Sequence, residues 1–218
     1  YYLNVSKIVN DNHRLAFSVF GAPQWHGQRY DPMPISTYQD PAIKSIRYNA
    51  DWGYKNGKVY HQSYNFYHKP QISLNHLWEI NEKSALSTAL YSSFGSGGGR
   101  RDEGSKIGSS DYRIGGAGLQ PIDFDRIVEE NIANGAEGST DIISSSRNSH
   151  EWYGILSTYK NRINDKLTVS GGLDARYYVG SHWYEVDDLL GGQFFFGDSN
   201  TEWGDYGQFY FLRLKWSF

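Results

Sequence analysis

The stretch "NRINDKLTVSGGLDARYYVG", residues 161–180, contains a short polar turn followed by a run in which apolar and polar residues alternate. Leu173 and Tyr177 share one parity in this run, whereas Asp174 and Arg176 share the other. Because successive side chains of a strand point to opposite faces, a period of two predicts a strand with one apolar and one polar face. The run is longer than the usual strand of about 5–6 residues. An apolar layer as tall as this long strand must therefore cover its apolar side.

The composition of the 218-residue chain excludes several classes of protein. No run of about 18 apolar residues is present, so we expect no transmembrane helix. A membrane barrel, whose strands are apolar only at alternate positions, stays compatible with the 17% of aromatic residues and the 24 glycines. The net charge is −3 and the charges are dispersed, so we expect no nucleic-acid partner. The absence of cysteine excludes disulfides and thiolate metal sites within the chain.

A turn motif occurs three times, each time as a β-branched residue, Asn and an acidic residue ahead of a new alternating run. The three copies are "KIVNDNHRLAF" (7–17), "WEINEKSALST" (78–88) and "NRINDKLTVSG" (161–171). Because Asn and Asp favour tight turns, each copy predicts a hairpin, and all three should lie at one end of the sheet. The predicted turns cover residues 9–13, 80–84 and 163–167.

The segments between these hairpins are long and rich in Gly, Ser, Asp and aromatic residues. They cover residues 25–59, 95–150 and 181–206. Short turns at one end of a sheet and long loops at the other are typical of an outer-membrane barrel. A soluble β-sandwich with uneven loops is the alternative that the turns alone leave open.

The length of the alternation favours the barrel. From residue 64 to residue 80 the even positions are mostly apolar and the odd positions mostly polar, over about 55 Å of extended chain. A tilted barrel strand needs that length, whereas a sandwich strand does not. Charges on the polar side would then lie in a watery lumen and avoid the cost of about 2–4 kcal/mol that Arg or Lys has at the lipid midplane. The residues predicted to face outward are Leu74, Trp78, Leu173 and Tyr177, and those predicted to face the lumen are Ser73, Asn75, Asp174 and Arg176.

The pattern predicts approximately seven strands. They cover residues 1–9, 13–25, 59–80, 83–95, 151–163, 166–180 and 206–218. An odd number makes the first and last strands run in the same direction, so we predict that no antiparallel ladder joins 1–9 to 206–218 within this chain. Single-chain bacterial barrels normally have an even number of strands. The sequence is therefore interpreted as a piece of a larger barrel.

Seven blocks of the sequence resemble the barrel of SusC/RagA-type TonB-dependent transporters of Bacteroidota. They are "HRLAFSVFGAPQWHGQR" (13–29), "YNADWGYKNGK" (48–58), "NFYHKPQISLNHLWEIN" (65–81), "YSSFGSGGGR" (91–100), "IDFDRIVEEN" (122–131), "NSHEWYGILS" (148–157) and "SGGLDARYYVGSHWYEVDDLLGG" (170–192). The resemblance implies an all-β fold, an antiparallel transmembrane β-barrel of 22 strands with long extracellular loops, of which residues 1–218 are part. It also implies a location in the outer membrane, contact with outer-membrane lipid, a SusD-like surface lipoprotein as lid, and TonB-driven import of glycans or peptides.

The chain also departs from that family. We expect neither a plug domain nor a TonB box within residues 1–218, "YYLNVSKIVN" (1–10) does not resemble a secretion signal, and the last strand "GQFYFLRLKWSF" (207–218) does not match the family pattern. A small stand-alone outer-membrane barrel with loop-mediated binding or adhesion is therefore the alternative function. A third class, an outer-membrane phospholipase or protease, needs a Ser/His/Asp or paired-carboxylate arrangement, and the sequence displays none. We expect no enzyme activity, no catalytic residue, no cofactor and no metal site.

Aromatic residues in or beside the long loops are the candidates for substrate binding, because their rings can stack on sugars or pack the loops. They are Trp52, Tyr54, Trp183, Tyr184 and Trp203. A second aromatic group is predicted to form the girdle at the membrane interface, namely Trp152, Tyr177 and Tyr178.

Three further motifs carry local predictions. "IDFDRIVEENIAN" (122–134) predicts a short amphipathic helix with acidic residues near its N-terminus. "GSGGGR" (95–100) predicts a loop, because it lacks the strand-to-helix context of a phosphate-binding loop. Asp187 and Asp188 offer carboxylates of the kind that calcium binds, but they lack the ligand spacing of a known calcium loop, so no calcium site is predicted from them.

Overall fold

The computed structural model describes residues 1–30, 32–43, 45–116 and 119–195, together with the backbone of 207–217. Its strands are β1 (Tyr2–Asn10), β2 (His13–Phe20), β3 (Gln24–Gly27), β4 (Trp52–Lys55), β5 (Lys58–His61), β6 (Tyr64–His68), β7 (Gln71–Asn81), β8 (Ser84–Glu103), β9 (Ile122–Asp123), β10 (Ile142–Arg162), β11 (Thr168–Asp188) and β12 (Gly207–Ser217). Its helices are α1 (Ile35–Gln39) and α2 (Phe124–Ala133), and short 3₁₀ turns cover Ser110–Tyr112, Ile114–Gly116 and Gly135–Glu137. Neither α-helix in this part of the chain is long and apolar enough to cross a membrane.

One antiparallel sheet of nine strands dominates the fold. Its path runs β1-β2-β7-β8-β10-β11-β12, and β6 pairs with β8 and with β3 beside that path. A smaller sheet contains β5, β4 and β9. In the described residues β1 pairs only with β2 and β12 only with β11, so the sheet is open. The prediction that residues 1–9 and 206–218 do not form a ladder with each other is confirmed.

The three predicted hairpin turns lie at one end of the sheet, here named the turn end. His13 is opposite Trp78 and Ser84 is opposite Asn161, which places the three turns side by side. In each turn an Asn side chain accepts hydrogen bonds from backbone N–H groups two or three residues later, which is the local bonding expected of Asn in turns. These residues are Asn10, Asn81 and Asn164. The turn prediction is therefore confirmed.

Two of the predicted strands are interrupted, so the chain has more strands than the predicted seven. The strand predicted over 59–80 is divided into β5, β6 and β7, and the strand predicted over 13–25 into β2 and β3. Pro23 and Pro70 lie at two of the breaks, where a residue without an N–H group cannot donate to the ladder. In the opposite sense, β8, β10 and β11 reach 20 or 21 residues and extend beyond their predicted ends at the loop end, opposite the turns.

The two faces of the sheet differ in polarity. At one level across the strands lie Val5, Phe17, Leu74, Leu90, Ile155 and Ala175, which define the apolar face. Leu173, Tyr177 and Trp78 share this face, while Ser73, Asn75, Asp174 and Arg176 alternate with them on the opposite, polar face. Leu90 is 49% exposed and Leu74 41%, because no second layer of the described chain covers them. That these faces meet lipid and lumen stays a prediction.

The buried core of the molecule lies at the loop end. We name the loop-end module the unit made of β4, β5, β9 and α2, packed against the ends of β10 and β11. Its core side chains are Ile107, Ile122, Phe124, Ile127, Ile143 and Leu190. All buried hydrophobic side chains among the described residues lie in or next to this module, and none lies on the long sheet below it.

Helix α2 forms where the sequence predicts it. Asp123 caps its N-terminus by accepting a hydrogen bond from the Arg126 N–H at 3.1 Å, and Phe124 and Ile127 are buried. Asn131 is also buried, and its amide donates to the carbonyl oxygens of Asp141 and Leu190 while its own carbonyl oxygen accepts from the Thr140 N–H. One satisfied amide thus connects the helix to the residues just before β10 and to the segment after β11.

Candidate functional site

The structure brings together two of the predicted loop aromatics. Trp52 and Tyr54 alternate along β4, with ring centroids 5.5 Å apart in an edge-to-face arrangement. Trp183 and Tyr184 are neighbours within β11 and so lie on opposite faces of the sheet. Trp203 lies outside the described residues. The predicted group does not form one surface.

Tyr184 is engaged in a structural contact. Its hydroxyl donates to the Glu103 carboxylate, and the Arg101 guanidinium lies 5.7 Å from its ring centroid. Burial and the hydrogen bond to Glu103 raise the pKa of the Tyr184 hydroxyl. Trp183 at 42% exposure and Tyr54 at 38% keep ring surface open to solvent, but they belong to separate places.

The end of β11 carries a half-buried charge cluster that joins it to the loop-end module. Asp188 pairs with the Lys55 ammonium and accepts a hydrogen bond of 2.6 Å from the Tyr60 hydroxyl. Burial acts to raise the pKa of Asp188, but the hydrogen bonds from Lys55 and Tyr60 outweigh it and hold the pKa below its usual value. Burial, reinforced by the bond to Asp188, raises the pKa of Tyr60. Asp188 therefore stays ionised and the Tyr60 hydroxyl stays protonated at neutral pH.

Asp187 and Asp188 do not fit the calcium site considered from the sequence. Asp187 is bound by Arg147 at 2.9 Å and by the Ser145 hydroxyl at 2.5 Å, so its charge is already neutralised. Within the described ranges no group of three or more His, Asp or Glu side chains could hold a metal ion. Calcium requires about 6–8 oxygen ligands, which these two carboxylates alone do not supply.

A compact group of aromatic and basic side chains lies on the polar face near the loop end. We name it the aromatic patch: Tyr67, Lys69, His150, Trp152 and Tyr178. The Tyr67 hydroxyl and His150 Nε2 are 2.9 Å apart, and the His150 ring lies 6.0 Å from the Tyr178 ring. The Lys69 ammonium lies 4.2 Å from the centre of the Trp152 ring, within range of a cation–π contact. All five side chains are half-buried.

The pairing of the strands explains why these residues meet. Trp152 on β10 is directly opposite Tyr178 on β11, so both side chains point to the same face. Their chain neighbours Tyr153 and Tyr177 occupy the apolar face, stacked at 6.5 Å. The three residues predicted to form the girdle therefore do not share one face: Tyr177 lies on the apolar face, whereas Trp152 and Tyr178 lie on the polar face. The sequence contained a signal for this: Trp152 and Ile155 are three residues apart on one strand, and an odd separation places two side chains on opposite faces.

Glycine residues of β8 make room for the patch. The segment "GSGGGR" is part of β8, so the predicted loop there is wrong. A side chain added at Gly95 would collide with the His150 ring, and one added at Gly97 would collide with the Tyr67 ring. Glycine thus allows both rings to lie against the backbone of the strand, which is a recognised use of glycine within a sheet.

The patch opens onto a groove. Tyr67 and Lys69 also line a cavity of about 620 Å³ together with Tyr2, Phe20 and Gln24 from β1 to β3. This cavity is a shallow depression, open to solvent, with ring surfaces and a few polar groups along its walls.

Neither the protein-family models, nor the curated proteins, nor the solved structures include a match to this chain.

Proposed function

We propose that this chain forms part of the wall of an outer-membrane β-barrel, in a SusC/RagA-type TonB-dependent importer that works with a SusD-like surface lipoprotein. The observation that carries the proposal is the distribution of apolar side chains. The long sheet exposes an apolar face without a covering layer, whereas the buried hydrophobic side chains of the described residues collect in the loop-end module. Lipid is the solvent that suits such a face, because monomeric soluble proteins rarely expose apolar patches beyond a few hundred Å².

The size and order of the apolar face support this assignment. On β8 it extends from Leu86 to Phe94, eight residues or about 27 Å along the strand, which a tilt of about 40° reduces to roughly 21 Å. The apolar band of outer-membrane barrels is about 25 Å tall. Aromatic side chains border it on both sides, as in the girdles of such barrels. They are Phe94, Tyr153 and Tyr177 toward the loop end, and Trp78 and Tyr159 toward the turn end.

The open edges favour a large barrel over the small stand-alone one. The seven strands of the path alternate in direction, so β1 and β12 run the same way. Antiparallel closure then needs an odd number of further strands between these two edges, which agrees with an even total. In such a barrel the polar face lines the lumen, and the aromatic patch meets an imported glycan or peptide.

Single-cysteine labelling tests the membrane assignment, since the chain has no cysteine of its own. Leu74→Cys and Asn75→Cys are adjacent on β7 but belong to opposite faces. In outer membranes from cells expressing the protein, we expect a water-soluble maleimide to label Asn75→Cys and a lipid-soluble one to label Leu74→Cys. Equal labelling of both positions by the water-soluble reagent would contradict the proposal.

Deletion of the gene tests import. An importer predicts lost growth on at least one glycan or peptide source, with growth restored by the complementing gene and abolished when the inner-membrane TonB complex is removed. The adhesive alternative predicts unchanged growth and reduced attachment to a glycan-coated surface. Unchanged growth on every source tested would count against import.

A further inference from the structure

We infer that the aromatic patch binds an acidic saccharide, that is, a pyranose unit carrying a carboxylate. The inference rests on the proposed function, because it assumes that the polar face is the side that meets the transported substrate. It narrows the substrate from glycans or peptides in general to uronate-containing glycans, and it assigns the contact to Tyr67, Lys69, His150, Trp152 and Tyr178.

Two rings of the patch present a face to an incoming sugar. The inner faces of the Tyr67 and His150 rings lie against Gly97 and Gly95 of β8, so their opposite faces turn away from the sheet. The bond between the Tyr67 hydroxyl and His150 Nε2 fixes the two rings relative to each other. Rigid aromatic surface supplies contact area to a ring ligand at a low cost in conformational entropy. The weakly polar C–H face of a pyranose fits this surface.

The patch also has positive charge without a matching carboxylate. Among the described residues Lys69 forms no ion pair with a carboxylate, and its ammonium lies over the Trp152 ring. His182, two residues beyond Gly180 on the same face of β11, lies near His150, whose pKa is lowered by burial and by the neighbouring Lys69. The polar-face carboxylate of Asp174 is occupied by Arg176 at 3.0 Å. A half-buried ammonium with free donors favours an anion, because charge-assisted hydrogen bonds are roughly twice as strong as neutral ones.

The same geometry argues against an extended acidic peptide. Peptides commonly bind a sheet by adding a strand to a free edge, where main-chain groups are unpaired. The patch lies in the interior of the sheet, where β10 is paired with β8 on one side and with β11 on the other over almost its whole length. The main chain there has no free edge to offer. Recognition must therefore use side-chain rings and charge, which a carboxylated sugar satisfies together.

Calorimetric titration of the detergent-solubilised protein tests this assignment without requiring transport. The probes are a galacturonate trisaccharide, the neutral galactose trisaccharide of the same linkage, and triglutamate. We expect the galacturonate trisaccharide to bind at least tenfold more tightly than either of the others. Lys69→Gln should weaken its binding about tenfold, the scale of one charge-assisted hydrogen bond. Tyr67→Leu, which keeps apolar volume but removes the ring, should weaken both trisaccharides.

The matched control is Lys58→Gln, which removes an exposed lysine of β5 outside the patch and should leave binding unchanged. Absence of galacturonate binding, equal binding of the neutral trisaccharide, or an effect of Lys58→Gln as large as that of Lys69→Gln would overturn the inference. Tighter binding of triglutamate would assign the patch to acidic peptides instead and would also overturn it. These outcomes are independent of the cysteine labelling pattern, so failure of this inference and failure of the membrane assignment can be told apart.

Discussion

Replacing Leu90 with arginine tests the apolar face at the point where the effect should be greatest. Leu90 lies in the middle of the band on β8, four residues or about 13 Å from both Leu86 and Phe94, and it is 49% exposed. An arginine on the lipid face near the bilayer midplane costs about 2–4 kcal/mol. We therefore expect Leu90→Arg to lower the free energy of unfolding in a bilayer by about 3 kcal/mol.

The assay is urea titration of the protein refolded into phospholipid vesicles, with the folded fraction read from its heat-modifiable gel mobility. Ala89→Arg is the matched control, because it places the same side chain one residue away on the polar face. We expect this control to cost less than about 1 kcal/mol, since lumen-facing charges stay hydrated. If the two substitutions destabilise the protein equally, or if Leu90→Arg has no effect, the apolar face does not contact lipid and the reasoning is refuted.

Three further changes probe the loop-end module and the patch. Asn131→Ala leaves buried donors and acceptors unpaired, so we expect a loss of about 3 kcal/mol within the module and faster hydrogen exchange in α2, with the turn end unchanged. Hydrogen bonding to Lys106 first, then to a tyrosine, lowers the pKa of Glu130 from 4.5 to about 2. The resulting stabilisation is present above pH 4.5 and is lost as the pH falls toward 2. Because the Glu130–Lys106 pair is partly hydrated, we expect it to contribute about 1 kcal/mol to the free energy of unfolding. Melting curves recorded across this pH range should show the loss in the unchanged protein but not in Glu130→Gln. Gly97→Val should displace the Tyr67 ring, because the added side chain would collide with it. We expect a soluble quencher to reduce tyrosine fluorescence more strongly, relative to tryptophan fluorescence, than in the unchanged protein, and trisaccharide binding to weaken. Unchanged quenching would contradict the role given to this glycine.

The sequence by itself determined the features that depend on near neighbours along the chain. The period of two assigns each side chain of a strand to a face, so the apolar and polar sets around Leu74 and Asp174 were predictable. The hairpin turns follow from the bonding of Asn side chains to backbone groups two or three residues away. The helix α2 follows from its apolar spacing and its Asp123 cap. All of these interactions act within a few residues.

The tertiary structure alone decided which distant residues meet. Tyr67 and His150 are 83 residues apart in the chain, and they touch because β6 and β10 both pair with β8. The glycines of "GSGGGR" resemble a loop in isolation, but they belong to a strand because β6 and β10 pair with them on either side. Asp188 forms an ion pair with Lys55 and accepts a hydrogen bond from Tyr60, because the loop-end module folds back onto β11. Contacts of this kind depend on strand register. Loop lengths and packing over the whole chain set that register, and no local sequence pattern encodes it.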